Sequence, residues 1–200
     1  MVYDSAEMFD IRSHDTAHSA PGDLELVQRF MNLHEHVPGI EDDLPASREM
    51  LEAFLRERAL LEDEVPFTDA DRDAALELAR ALLAKVRTNR GEPLAEGEVV
   101  VIDEHAQRAG LHPHFAQDGP VLVPSETGVD GALGRIVAIA FLADLDGSWG
   151  QLKECAGEDC TSVFYDRSKN HSGRWCTMST CGNRAKVRAW RERQRADDDA

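Results

Sequence analysis

Cys155-Ala156-Gly157-Glu158-Asp159-Cys160 and, after fifteen intervening residues, Cys176-Thr177-Met178-Ser179-Thr180-Cys181 form two C-x4-C pairs that hold every cysteine of the 200-residue chain. Disulfide scaffolds spread their staples through a fold, whereas thiols clustered in one short segment point to a metal. Two pairs that each flank a tight turn bring four thiolates around one ion. Zinc suits such a set, because it is borderline soft and takes four thiolates in closed tetrahedral sites. With Cys155, Cys160, Cys176 and Cys181 all bound, no position remains for water, so the expected ion is structural. Two disulfides and a single iron in the same tetrahedral site are the alternatives. His171, inside the loop between the pairs, has a ligand atom too, but beside Lys169 and Arg174 it reads as a solvated or phosphate-facing residue.

The chain outside this segment is long enough for one domain with its own core. No apolar run approaches the roughly 20 residues that cross a bilayer, and the acidic first 20 residues lack the basic flank and apolar stretch of a secretory signal. A cytoplasmic location and no membrane partner are expected. The formal charge is −16, yet residues 167–195 carry nine Lys or Arg against the single acid Glu192, a net +8, which leaves −24 for the rest. Asymmetry of this size marks an interacting segment, because phosphate binding depends on concentrated cationic surface.

Hydrophobic periodicity sets the organisation ahead of the cysteines. Residues 1–20 show no period and read as a flexible arm. Leu24, Val27, Phe30, Met31 and Leu33 or His34 recur at helical spacing, with Asp23 as N-cap, which predicts a helix to about His36 ended by Pro38-Gly39. Ser47 caps a second helix with Met50, Leu51, Phe54 and Leu55 on one stripe, and Thr68 caps a third that carries Ala74, Leu76, Leu78, Ala81, Leu82 and Val86. Residues 99–102 are β-branched but run on without a turn residue, and helix is the reading adopted. Residues 111–116 and 120–123 predict a hairpin about Asp118-Gly119. Asp130 opens the most apolar helix, with Leu133, Ile136, Val137, Ala140, Phe141 and Leu145. The expected fold is mostly α with a small β-hairpin: a flexible arm (1–20), a helical domain (21–150), a four-cysteine zinc-ribbon or treble-clef-like module (151–196) and an acidic tail (197–200).

Arg174-Trp175-Cys176-Thr177-Met178-Ser179-Thr180-Cys181-Gly182-Asn183-Arg184-Ala185-Lys186 resembles the CGNR zinc finger, named for the run that stands here as Cys181 to Arg184. Upstream, the Cys155 and Cys160 pair and the F-x-D-x-S segment Phe164, Asp166 and Ser168 resemble the same family's first knuckle. The preceding residues resemble the ABATE domain that accompanies this finger, through the F-x-N at Phe30 and Asn32, the stripe of residues 51–55, and Trp149-x-x-Leu152. Leu33 departs from the family, which often has Thr there. The resemblance implies a bacterial transcriptional regulator, stress-related, that binds nucleic acid, DNA first and RNA second.

A helix starting near Cys181 places Arg184, Arg188, Arg191 and Arg195 on one face, at i, i+4, i+7 and i+11. An arginine ridge on a rigid helix is what phosphate contact or guanine recognition requires. Lys186 on the same helix, and Arg167, Lys169 and Arg174 on the loop, complete the candidate nucleic-acid contacts. Val187 and Trp190 are expected to pack on the zinc core or the neighbouring domain. The competing readings are a zinc-stabilised module that docks an acidic protein, with the arginines otherwise lying on the acidic domain in front of them, and a thiol redox sensor. The helical domain would take a protein partner or a small-molecule ligand. No enzymatic constellation emerges: His112 and His114 with Asp118 fall on an edge strand, His34 and His36 lie about 200° apart on a helix, and there is no nucleophile elbow or phosphate loop.

Overall fold

The computed structural model describes residues 18–35, 44–117, 119–157 and 160–198. Its first helix, α1 (Leu24–Met31), buries Leu24, Val27, Phe30 and Met31. It is shorter than its periodicity predicted, because His34 and Glu35 (β1) leave the helix to pair antiparallel with Leu44 and Pro45 (β2). Asp23 is itself helical in backbone and makes no side-chain cap. His36 and Pro38-Gly39 lie outside the described residues. So does most of the expected arm, but its last residue is held: Ala20 is buried and donates its N–H to Gln28 Oε1 at 2.6 Å.

The next two helices form where their caps place them. Ser47 Oγ accepts the Met50 N–H at 3.3 Å at the start of α2 (Arg48–Glu57), whose Met50, Leu51, Phe54 and Leu55 are buried. Thr68 and Asp71 form a reciprocal capping box on α3 (Asp69–Arg87), an arrangement worth about 1 kcal/mol. A short 3-10 turn ends α3 at Gly91, which takes φ 88°. Residues 99–102 lie within α4 (Glu96–Arg108), a helix that packs Ile102 and Ala106 against the core and buries His105 and the following Ala109. The hairpin β3 (His112–Ala116) and β4 (Gly119–Val123) pairs Ala116 with Gly119, and Asp118 lies outside the described residues.

Helix α5 (Gly128–Asp146) is central, touching α1, α3, α4 and β4. Leu133, Ile136, Val137 and Ala140 are buried as expected, but Phe141 is 50% exposed and Leu145 70% exposed. A Cβ on Gly134 would lie 2.2 Å from Ala109 Cβ, so glycine is what lets α5 approach the end of α4 this closely. After a 3-10 turn at Trp149, β5 (Leu152–Glu154) and β6 (Val163–Tyr165) form an antiparallel ribbon with Leu152 opposite Tyr165. Trp149, Leu152, Val163 and Tyr165 belong to the same apolar core as Val27, Leu55, Leu82 and Ile136. The ribbon that carries the first cysteine pair is therefore built into the helical core. A turn of π-helix (Met178–Gly182) leads into the last helix, α6 (Asn183–Asp198), which takes in two residues of the expected acidic tail. Among the described residues no helix is long and apolar enough to cross a membrane.

Candidate metal centre and basic helix

Strands β5 and β6 hold the first knuckle closed: Cys155 N–H donates to Ser162 O at 2.8 Å, and Cys160 N–H to Gly157 O at 3.2 Å. Gly157 leaves room for the sulfurs, since a Cβ there would meet Cys160 Cβ at 3.1 Å and both Cys155 and Cys181 Sγ at 3.6 Å. The second pair arrives from the loop and the π turn. Cys176 N–H points at Cys155 Sγ at 3.4 Å, and Ala156 N–H donates to Arg174 O at 2.8 Å, which zips the two knuckles together.

All four Sγ atoms lie within 4.8 Å of one another. Cys160 and Cys176 Sγ are 3.7 Å apart, and Cys176 and Cys181 Sγ 3.6 Å. Four sulfurs at about 2.3 Å from one tetrahedral ion are separated by about 3.8 Å, so the spacing fits zinc. It is far too long for a disulfide, and all four cysteines are free. Thiols this crowded cannot all ionise without a cation among them. Hydrogen bonds from Cys155 and Cys176 hold Cys160 well below the usual thiol range, the same pairing with Cys155 and Cys160 pushes Cys176 far up, and burial raises Cys181 to about 11. A divalent ion removes that conflict, and its contribution is to crosslink a module whose own apolar cluster, among the described residues, is Phe164 and Trp175 beside the cysteines.

Asp166 organises the loop between the pairs. Its carboxylate accepts Lys153 Nζ at 2.6 Å, Ser168 N–H at 3.0 Å and Gly173 N–H at 2.8 Å. Burial opposes ionisation there, but these donors win and hold the carboxyl well below the usual range. The Lys153 and Asp166 side chains are only 9% and 3% exposed, and breaking a buried pair of this kind costs about 3–5 kcal/mol. Lys153 also donates to the carbonyl of His171, whose left-handed backbone (φ 47°) turns the loop. His171 thus shapes the loop and is not among the clustered ligands.

The finger is fastened to the helical core at two points. Asn32 pairs with Val163 as a strand would, donating to its carbonyl at 2.8 Å and accepting its N–H at 2.7 Å, while Gln28 adds 3.0 Å to the same carbonyl. Arg87 holds the Glu154 carboxylate through two bonds of 2.8 and 3.0 Å, and Asn89 donates to the Leu152 carbonyl at 2.9 Å. Of these residues, only Asn32 and Asp166 stand out in the sequence, as members of short patterns. Gln28, Arg87, Asn89 and Lys153 give no such signal, because each acts on a segment distant in sequence.

The basic residues divide by position. Arg184, Arg188, Arg191 and Arg195 line one groove with Asn183 and Val187, and Arg174, Arg184 and Arg188 line a second hollow beside Cys160 and Trp175. Arg174 lies over the Trp175 ring at 5.2 Å. Lys186 stands about 200° around α6 from Arg184. Arg167 is engaged elsewhere, over Tyr165 at 5.3 Å and donating to Ser19 O at 2.9 Å, and Lys169 is exposed on the loop. Val187 and Trp190 do not pack as expected: they are 47% and 56% exposed, because α6 extends away from the module after its first turn. The His112 ring lies 3.1 Å from Gly110 O and from Ser125 Oγ, and among the described residues the four cysteines are the one metal-like group.

Comparison with protein families agrees with this geometry at both ends. Residues 151–194 match the CGNR zinc finger, and the four cysteines are positioned to bind one metal ion, consistent with one zinc. Residues 24–147 match the ABATE family, described as "Putative stress-induced transcription regulator". No curated protein matches the chain. Because the second match spans more than half of the sequence and the first follows it directly, the chain belongs to the ABATE family and ends in a CGNR zinc finger.

Proposed function

We propose that the protein is a transcriptional regulator that contacts duplex DNA through α6, with the zinc ion holding that helix in place and no catalytic step of its own. The observation that carries the reading is the ridge. Arg184, Arg188, Arg191 and Arg195 line one groove on a helix that begins directly after the ligand Cys181. Among the described residues Arg184, Arg191 and Arg195 form no ion pair with the acidic helical domain, which argues against the arginines serving to dock the finger onto its own chain. Sixteen residues of helix span about 24 Å, ample for a major groove. Arg174 beside Arg184 and Arg188 supplies a hollow where a backbone phosphate would fix the register. Exposed Val187 and Trp190 give the helix apolar surface for a partner.

Fluorescence anisotropy of the zinc-loaded full chain with labelled genomic duplexes, in competition with polyglutamate, tests this. Saturable DNA binding that polyglutamate displaces only weakly supports the reading. Retention of polyglutamate with no DNA binding would replace it with a module for acidic proteins.

A further inference from the structure

The helical domain contains a solvent-open hollow of about 380 Å³ bordered by α3, α4, β4 and α5. Its walls are apolar, from Leu82, Val99, Ile102, Leu122, Val137 and Phe141, and its polar atoms come from Lys85, Asp103 and Asp144. A volume of this size, with apolar walls and a few convergent charges, has the form of a small-molecule site. We propose that it binds an amphiphilic organic cation, an aromatic or branched apolar body carrying one amine or quaternary ammonium.

The charge of the ligand follows from the charges at the cavity. Lys85 is already satisfied, with Nζ 3.0 Å from Asp144 Oδ1 and 5.4 Å above the Trp149 ring. Asp103 forms no ion pair among the described residues, so the group carries one net negative charge. The surroundings add to it, because the chain outside residues 167–195 is strongly acidic. An anionic head would have to displace Asp144 from Lys85, while a cationic head completes the set.

The apolar part follows from what is left in water. Phe141 is 50% exposed and Val99 40% exposed, although both face the cavity. An apolar body seated between them covers that surface, which is favourable in proportion to the area removed from solvent. Helix α4 forms one wall, and Ala95 at its N-terminus provides no side-chain cap. The site does not depend on the finger's contacts and is assayed without nucleic acid.

Calorimetric titration of the zinc-loaded full chain with 1-naphthylmethylammonium and with 1-naphthoate, equal in body and opposite in charge, provides the test. The cation is expected to bind about tenfold tighter than the anion, and Asp103→Asn with Asp144→Asn to erase most of that difference. Ala140→Phe fills the cavity from its floor and is expected to abolish binding. Val99→Trp blocks it from the exposed rim, where folding is not at stake, and should do the same. No binding of the ammonium up to roughly 1 mM, equal or tighter binding of naphthoate, or binding unchanged in Val99→Trp would each overturn the proposal. So would sedimentation showing a dimer that Val99→Trp dissociates, since the hollow would then seat a second copy.

Discussion

Cys176 joins the two knuckles, with its sulfur 3.7 Å from that of Cys160 and 3.6 Å from that of Cys181. Serine in its place removes a thiolate that zinc needs and leaves three crowded thiols. Elemental analysis of the wild-type chain is expected to give about one zinc per molecule, and Cys176→Ser far less. The variant's helical core should persist, because Val163 and Leu152 are held by apolar contacts rather than by the metal. His105 makes a second prediction at this scale. It is 2% exposed on α4, and burial first, then the Arg108 guanidinium 2.9 Å from Nδ1, hold its pKa down from 6.5 to about 4, against the opposing pull of Asp130 and a hydrogen bond to Ala74. The folded value is depressed, so the neutral ring's full contribution is present above pH 6.5 and declines as the pH falls toward 4, where the unfolded chain takes up a proton that the folded one refuses. The loss amounts to about 2 kcal/mol once screening at the partly exposed Arg108 is allowed for. Urea denaturation at pH 7 and pH 5 should show a smaller drop for His105→Leu than for wild type.

Elements show where local signals suffice. The starts of α2 and α3 are legible because Ser47 and Thr68 each satisfy the N–H group three residues away, and that information is local. The end of α1 is not, because the pairing of residues 34–35 with 44–45 competes with helix propagation from outside the window. The outer face of α5 departs from its pattern for a related reason: Phe141 and Leu145 continue its apolar period, but among the described residues nothing covers them fully, and Phe141 stays half exposed at the edge of a hollow. Trp190 and Val187 likewise look like core residues, and their exposure reflects how far α6 projects. The cysteine cluster, in contrast, is fully legible, since four thiols at matched spacing admit few arrangements. The joint between α1 and β6 is half legible, with Asn32 visible in the F-x-N pattern but its partner Val163 131 residues away. Asn32→Ala leaves the buried Val163 N–H without its acceptor and its carbonyl with Gln28 as the remaining side-chain donor. Equilibrium denaturation should show about 1–3 kcal/mol less stability, with zinc content unchanged.

Across the whole molecule the charge is divided: +8 in residues 167–195, with the rest of the chain at −24. Such a division disfavours contact between the helical domain and DNA, and leaves α6 as the surface that can approach a polyanion. The salt dependence of DNA affinity tests this most directly, measured by anisotropy between 50 and 200 mM salt for wild type and for Arg184→Ala/Arg188→Ala/Arg191→Ala, with zinc content confirmed equal. Removing an arginine that neutralises one phosphate lowers the log–log slope by about 0.9, so the triple variant is expected to bind more weakly and with a slope shallower by about 1–3. Equal affinity and equal slope in the two proteins would contradict the assignment of α6 as the nucleic-acid surface.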